Sequence, residues 1–177
     1  YVEYGLIAII LTLIIISGEI DLSIASMIAL TAVIFGTAYN AGIGMPLSIL
    51  IALLSGTLCG LFNGILVTQL KIPSIILTIG TLTLYRGIAQ SLASDFSLGG
   101  YPSWFIGIDY RYVGIVPIPV IIFTVFAIVV GFFLSSTIYG KQLYLIGTNP
   151  QTAKYSGIKV DRIKLLLFTL SGLVCGI

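Results

Sequence analysis

The stretch PLSILIALLSGTLCGLFNGILVTQ occupies residues 46–69, and none of its 24 side chains is charged. A helix of roughly 20 mainly apolar residues is long enough to cross the ~30 Å hydrocarbon core of a membrane. Small residues recur here at every fourth position, at Ala52, Gly56, Gly60 and Gly64. On a helix they share one face and let a second backbone approach closely. The stretch therefore predicts a membrane-spanning helix packed tightly against another helix.

The composition of the whole chain agrees with a membrane protein. Of its 177 residues, 58% are apolar and only 8% are charged, and the mean hydropathy is +1.18. Soluble domains typically carry about 25% charged residues, because their surface faces water. The composition therefore excludes an ordinary soluble globule and predicts an all-α, multi-spanning integral membrane protein. The sequence contains no histidine, which excludes a histidine-dependent triad, metal site or proton relay within it.

Apolar runs separated by short polar breaks predict six membrane segments within a single transmembrane domain, residues 1–177. The segments are 4–17, 22–39, 46–69, 72–91, 116–138 and 164–177. The first residue is not methionine, and the last apolar run stops at Ile177. A helix end without hydrogen-bond partners is costly in lipid. We therefore expect a fragment of a longer protein, truncated at both ends.

The basic residues predict the orientation of these segments. Five of the eight Lys and Arg residues lie in or beside the break 139–163: Lys141, Lys154, Lys159, Arg162 and Lys164. The positive-inside rule places this break in the cytoplasm. Counting back through the segments, the break 92–115 lies outside. The turn at Lys71 and the break at Glu19–Asp21 then lie on the inner side.

Two carboxylates, Glu19 and Asp21, stand between the first two segments. Charges near the bilayer are costly and tend to mark caps, partners or pathways. One interpretation is that Asp21 or Ser23 caps the helix that follows. The other is that a carboxylate takes part directly in a transport pathway.

Four polar side chains inside the apolar segments are candidate pathway residues: Asn63, Thr78, Thr81 and Tyr85. Thr78, Thr81 and Tyr85 are spaced i, i+3 and i+7, which places them on one face of a helix. Such a stripe suits a wet path for a hydroxylated solute, and it equally suits hydrogen bonding between helices. Asn63 lies beside the glycine face, where the same two roles are open.

A short sequence occurs twice in the chain. Leu-Ser-Gly-x-x-Cys-Gly stands at residues 54–60 and again at 170–176. In the predicted orientation the two copies run in opposite directions, as an inverted repeat requires. Chance similarity between two small-residue helix faces is the alternative. Cys59 and Cys175 are interpreted as packing residues.

The basic break contains the signals of a short surface helix. Asn149-Pro150 predicts its start, residues 151–156 its body, and Gly157 its C-terminal cap. Such a helix on the cytoplasmic face suits the docking of a soluble partner, and a solvated loop without a partner is the alternative. Gly140-Lys141 lacks the spacing of a phosphate-binding loop, so any ATP must be hydrolysed by another chain.

Four stretches together resemble the permeases of ribose-, xylose-, arabinose- and galactoside-type ABC importers, a family that includes rhamnose and autoinducer-2 permeases. The stretches are Gly18–Ser23, Gly60–Gly64, Ile72–Gly87 and Gly140–Ile158. They span nearly the whole chain in the order found in that family. Within and beside them, the residues interpreted as structural are Gly18, Asp21, Ser23, Gly56, Gly60, Gly64, Pro73, Arg86 and Gly87.

The resemblance implies a type II-like ABC importer permease in the bacterial inner membrane, which moves a sugar or sugar-like solute inward. It implies a second permease copy, a cytoplasmic ATPase subunit docked on each copy, and an extracytoplasmic solute-binding protein. ATP and Mg²⁺ then lie on the ATPase, so no cofactor, metal or catalytic residue is expected in this chain. Coupling to the ATPase is expected at Gly140, Asn149, Pro150, Gln151, Thr152, Ala153, Gly157 and Ile158. Gln151 and Thr152 replace an acid and an alanine of the family's coupling motif.

Two functions from other classes are the alternatives. An ion-coupled secondary transporter of a small polar solute would use Glu19 or Asp21 as its coupling group and would need no ATP. An intramembrane hydrolase would need a nucleophile and a base that face each other. The sequence offers neither a histidine nor a pair of mid-helix aspartates for that chemistry.

Overall fold

A computed structural model of the protein describes residues 2–93 and 99–176, and it is almost entirely helical. The helices are α1 (Val2–Ile16), α2 (Ile24–Asn40), α3 (Met45–Thr68), α4 (Ser74–Ala93), α5 (Ser103–Tyr110), α6 (Ile118–Ser136), α7 (Ile138–Thr148), α8 (Pro150–Tyr155) and α9 (Val160–Cys175). Two short strands, β1 (Tyr112–Val113) and β2 (Val116–Pro117), form an antiparallel hairpin. The predicted all-α class is confirmed, with this hairpin as its one departure in the described residues.

The six predicted segments correspond to α1, α2, α3, α4, α6 and α9, and their ends agree within four residues. The largest difference is at α9, which begins at Val160 rather than at residue 164. Its first turn contains Asp161, an acid that the positive end of a helix accommodates well. Among the described residues, α3, α4 and α6 are long and apolar enough to cross a membrane, and α1 and α2 are shorter apolar helices.

The breaks contain more regular structure than the sequence predicts. The sequence predicts a loop with one short helix over residues 139–163, but α7 fills the first half of that break. This helix buries Gly140, Leu143 and Ile146 on one face, a spacing that Lys141 and the two glycines of the segment obscure in the sequence. The break 92–115 contains α5 and part of the hairpin, and its residues 94–98 lie outside the described residues.

Helices α3 and α9 form the tightest contact of the bundle. A Cβ atom added to Gly56 would overlap the carbonyl oxygen of Gly172, and one added to Gly172 would overlap that of Gly56. A Cβ on Gly176 would lie 2.8 Å from the carbonyl oxygen of Ala52. Residue numbers rise along α3 as they fall along α9, so the two helices are antiparallel. The predicted close approach of a second backbone is confirmed, and the two copies of the repeated sequence pack against each other.

Helix α6 presents a different surface. None of its residues is buried, and its outer face exposes Val125, Ile128, Val129 and Phe132 to between 55% and 66%. Large apolar side chains without protein neighbours are the surface that acyl chains solvate. Helix α6 therefore lies at an apolar, exposed edge of the bundle.

Candidate functional site

Residues 17–23, termed the connector, join α1 to α2 and lie directly on α7. Gly18 has a φ of +80°, a conformation that side chains with a Cβ rarely adopt. A Cβ on Gly18 would lie 3.8 Å from the Cα of Gly147, and one on Gly147 would overlap the carbonyl oxygen of Ile16. The connector and α7 therefore touch backbone to backbone, with glycine on both sides.

Asp21 lies inside the protein, at the centre of the connector. It is only 2% exposed, and its Oδ1 accepts hydrogen bonds from the backbone N of Ser23 at 2.9 Å and from Ser23 Oγ at 2.6 Å. Ser23 is the N-cap residue of α2, yet its side chain bonds no helical N–H. The capping interpretation is therefore wrong for Ser23, whose hydroxyl is turned towards the Asp21 carboxyl, while Asp21 accepts the backbone N–H of Ser23 at the start of α2.

A line of hydrogen bonds, termed the polar chain, leads from α4 through α3 to the connector. Tyr85 OH donates to Asn63 Oδ1 and to the carbonyl oxygen of Cys59, both at 3.0 Å. Asn63 Nδ2 donates to Ser23 Oγ at 2.8 Å, and Ser23 donates to Asp21. Asn63 is fully buried and Tyr85 is 4% exposed. Burying a polar group costs free energy unless the group is hydrogen-bonded. The hydrogen bonds of the polar chain therefore stabilise the relative positions of α3, α4 and the connector.

Thr78 and Thr81 lie on the same buried face of α4 as Tyr85. Thr78 Oγ1 donates to the Ser74 carbonyl at 2.7 Å, and Ile20 N donates to Ser74 Oγ at 3.2 Å. The predicted stripe on α4 thus faces the interior of the protein. Its residues form hydrogen bonds with α3 and the connector. Contact between these residues and a solute stays a prediction.

Tyr85→Phe is expected to lower the free energy of unfolding by about 1–3 kcal/mol, because it removes the one hydroxyl donor shared by the buried Asn63 Oδ1 and the part-buried Cys59 carbonyl. Tyr139→Phe is the matched control, since the ring of Tyr139 on α7 is 65% exposed. Thermal unfolding of the purified protein in detergent measures both. Equal unfolding temperatures for the two variants would show that the Tyr85 hydroxyl contributes nothing to the packing.

The short helix α8 is capped at both ends. Asn149 Oδ1 accepts from the backbone N of Gln151 at 3.0 Å and of Thr152 at 3.1 Å. At the other end Gly157, with a φ of +82°, donates to the Lys154 carbonyl at 3.0 Å. The start at Asn149, the short helix and the glycine end agree with the pattern predicted from the sequence.

Helix α8 is held to the bundle by one side chain and exposes the rest. Ala153 is fully buried in a small cluster with Ile146 of α7 and Val160 of α9. The other five residues of α8 are exposed, namely Pro150, Gln151, Thr152, Lys154 and Tyr155. Tyr155 is 90% exposed, which is unusual for an aromatic ring. A rigidly placed helix with an exposed aromatic ring is suited to contact another protein.

Two ion pairs flank α8 and differ in their burial. Lys164 Nζ contacts Glu19 Oε1, and both side chains are about 14% exposed or less. Lys71 Nζ lies 2.7 Å from Asp161 Oδ1, with side chains 63% and 56% exposed. A cavity of about 480 Å³ opens between these pairs, and Pro150, Gln151 and Lys154 of α8 line it. Glu19 thus has a basic partner, although the sequence assigned it none.

The remaining predicted site residues lie apart from these clusters. Gly140 is buried at the corner between α6 and α7, where an added Cβ would lie 2.7 Å from Leu134 Cα. Pro73 is exposed in the turn before α4. Arg86 and Gly87 are exposed on α4, and a Cβ on Gly87 would meet nothing within 4 Å. The structure therefore brings together the connector residues, Asn63 and the buried face of α4, and it leaves Arg86 and Gly87 outside.

Comparison with curated proteins gives several permease proteins of import systems among the relatives. Three of them are the autoinducer 2 import system permease proteins LsrD of Escherichia coli (strain K12), Shigella flexneri and Escherichia coli O157:H7. Each is 37% identical over 183 residues, an alignment that covers 100% of this chain and 56% of the relative. The chain thus spans about half the length of these relatives. No solved structure matches it.

The family described as "Branched-chain amino acid transport system / permease component" matches residues 2–177. This match covers nearly every residue, and it agrees with the helical bundle and its membrane-length helices. The resemblance to ABC importer permeases is confirmed by both comparisons. The chain therefore belongs to the permease component family of the branched-chain amino acid transport system type.

Proposed function

We propose that this chain is part of the transmembrane permease subunit of a bacterial ABC importer for a sugar-like solute. ATP hydrolysis on a partner subunit drives the transport, and ATP and Mg²⁺ bind to that partner. The observation that carries the proposal is α8, a short capped helix that exposes five of its six side chains beside a basic surface. The family match and the relatives named as import permeases support it.

Coupling is assigned to α8 and the residues that fix it. The ATPase contacts Gln151, Thr152 and Tyr155, while Asn149 and Gly157 hold the ends of the helix. A displacement of α8 reaches α7 through the buried methyl group of Ala153. It reaches the connector where Gly147 meets Gly18. ATP binding then changes the relative stability of outward- and inward-open states, which is how a partner shifts a conformational equilibrium.

The solute pathway is proposed to involve Asn63, Thr78, Thr81 and Tyr85. In the present conformation these residues are buried and bonded within the chain. They contact a solute only in a state in which α3, α4 and the connector separate. Their hydroxyl and amide groups suit a hydroxylated solute, and the import of autoinducer 2 named for the relatives supports that class.

The assembled importer is proposed to contain further chains. A second permease copy, two ATPase subunits and an extracytoplasmic solute-binding protein complete it in the bacterial inner membrane. The exposed apolar helix α6 and the basic residues near α8 support this placement, with α8 on the cytoplasmic side.

Affinity purification of the full-length protein from its native membranes tests the proposal. An ATP-binding subunit is expected to co-purify with the wild type, and Gly157→Arg is expected to reduce its recovery at least about tenfold, or 1.4 kcal/mol. The reason is the φ of +82° at Gly157, which strains most side chains and would displace the end of α8. Gly157→Asn is the matched control, because asparagine tolerates this conformation and should retain the ATPase.

Two outcomes contradict the proposal. Recovery of no ATPase with any of the three proteins would favour a gradient-driven transporter. Equal recovery with Gly157→Arg and Gly157→Asn would move the docking site away from α8.

A further inference from the structure

Helix α4 has two sides with different surroundings. The buried side packs inside the bundle and consists of Ser74, Thr78, Thr81, Tyr85 and Ala89. At 3.6 residues per turn, a row of exposed small and polar residues lies on the other side. This row, termed the open face, consists of Gly80, Thr83, Arg86, Gly87 and Gln90.

The open face differs from the other exposed surfaces of the membrane-length helices. Those of α3 and α6 consist of large apolar side chains, which suit contact with acyl chains. On α4 such side chains are confined to the inner end of the helix and to the flanks of the open face: Ile75, Ile76, Ile79, Leu84, Ile88 and Leu92. Among the described helices long enough to cross a membrane, α4 is also the least apolar. The open face is therefore poorly suited to lipid.

Arg86 is the residue of the open face that is most costly in lipid. It lies seven residues before Ala93, the last residue of α4, which is about 10 Å along the axis at 1.5 Å per residue. In the part of the chain that the structure describes, the basic residues that form ion pairs are Lys71 and Lys164, and Arg86 forms none. Charged side chains within membrane segments almost always face a partner charge or a water-filled cavity. Arg86 therefore indicates water beside α4.

A second copy of this chain is a poor cover for the open face. A symmetric contact brings the same residues of both copies together, so two Arg86 guanidinium groups would repel each other. The open face contains no acid that could offset them. A polar solute in water satisfies the same groups without this cost.

The open face has both the room and the hydrogen-bonding groups for such a solute. A Cβ added to Gly80 or to Gly87 would meet nothing within 4 Å. Thr83 Oγ1 donates to the Gly80 carbonyl at 2.7 Å, so its oxygen remains free to accept. Gln90 offers an amide donor and acceptor, and Arg86 offers a planar fork of donors that matches paired oxygens.

We propose that the open face of α4 lines a water-filled solute pathway, and that Arg86 binds acceptor oxygens of the passing solute. The pathway assignment rests on the proposed transport function and adds to it a face that is open in the present conformation. The buried side of α4 holds the helix in place while the open face meets the solute. A guanidinium group favours hydroxylated or anionic solutes and disfavours cations, so Arg86 determines specificity by charge.

Cysteine labelling of the full-length protein in its native membranes tests whether the open face is wet. Thr83→Cys and Gln90→Cys are introduced after the native cysteines have been replaced by alanine. A water-soluble thiosulfonate reagent is applied from both sides of the membrane, with and without ATP. Both cysteines are expected to react at least about tenfold faster than the matched control Ile128→Cys, because the reactive thiolate forms in water and not in apolar surroundings. Ile128 lies near the middle of α6 and is 65% exposed.

The charge of the reagent tests Arg86 without any need to know the solute. Gln90 lies four residues from Arg86, so their side chains are neighbours on the helix. Relative to their rates with free cysteine, a sulfonate reagent is expected to label Gln90→Cys at least about threefold faster than a trimethylammonium reagent, because a positive charge attracts the anion. Arg86→Gln should abolish this preference, and Arg86→Lys should retain it.

Slow reaction of Thr83→Cys and Gln90→Cys in every condition overturns the proposal, because lipid or another helix then covers the open face. A charge preference that survives Arg86→Gln overturns the role of Arg86. If Arg86→Gln fails to fold, the rates of the two cysteines with Arg86 in place still decide whether the face is wet.

Recovery of the ATPase from the same membranes separates this proposal from the importer assignment. Fast labelling without an ATPase would support the wet face and contradict ATP-driven import. Slow labelling in a protein that carries the ATPase would overturn the pathway on the open face alone.

Discussion

Gly60→Val is expected to prevent the accumulation of folded protein in the membrane. A Cβ on Gly60 would overlap the carbonyl oxygen of Phe168 and would lie 2.9 Å from the Cα of Gly172. These are backbone atoms of a facing helix, so they cannot move aside as a flexible side chain would. Helices α3 and α9 must separate along the contact, and we expect a loss of about 3 kcal/mol or more, at the upper end of overpacking effects.

Gly131→Val supplies the matched control for this variant. Gly131 lies on α6, is exposed, and a Cβ there would meet nothing within 4 Å. The chemical change is the same and both sites are inside a helix, so the difference reports on packing alone. Membrane levels by immunoblot and thermal unfolding in detergent measure it. A Gly60→Val protein as abundant and as stable as Gly131→Val would refute the close approach of α3 and α9.

The second large effect is expected at the part-buried ion pair between Lys164 and Glu19. Lys164→Met leaves the Glu19 carboxylate without its cation in a site where both side chains are about 14% exposed or less. Removing one partner of a fully buried pair typically costs about 3–5 kcal/mol, and we expect the lower end of that range here because this pair is part-buried. We expect a corresponding drop in the unfolding temperature. Replacing Glu19 by leucine in the same protein should recover much of the loss, since no lone charge is then left.

Lys71→Met is the control for the exposed pair. Lys71 and Asp161 are both more than half exposed, and such pairs are worth roughly 0–1 kcal/mol. The two lysines undergo the same substitution near the same face of the protein, so burial is the main difference. An equal effect of Lys164→Met and Lys71→Met on the unfolding temperature would show that the Glu19 pair is exposed to water.

The local sequence pattern was sufficient to predict the apolar helices and the face of α3 that contacts another helix. The charge-free run 46–69 corresponds to α3, and the four-residue spacing of Gly56, Gly60 and Gly64 gives the face that packs on α9. The Asn149-Pro150 start and the Gly157 end likewise define α8. These features depend on residues within one or two helical turns, which a single sequence displays directly.

Pairings between distant residues could not be predicted in the same way. Asn63 bonds Ser23 across 40 positions and Tyr85 across 22, while Glu19 and Lys164 are 145 positions apart. No periodicity links such residues, so the polar stripe of α4 left solute contact and helix contact equally open. Helix α7 was missed for a local reason, because Lys141 and two glycines interrupt the apolar run of its sequence. Coupling at α8 and the solute pathway stay predictions.

The α3–α9 contact also determines the order in which parts of the protein can pack during synthesis. Gly60 and Gly172 are 112 positions apart, so the ribosome needs on the order of 10 s between them at about 5–20 residues per second. Ser23 is synthesised before its hydrogen-bond partner Asn63, and Tyr85 is synthesised only 22 residues after Asn63. The glycine face of α3, by contrast, is in the bilayer without α9 throughout that interval. A nascent chain stalled before α9 therefore exposes an unfilled backbone groove to the membrane's insertion and quality-control machinery.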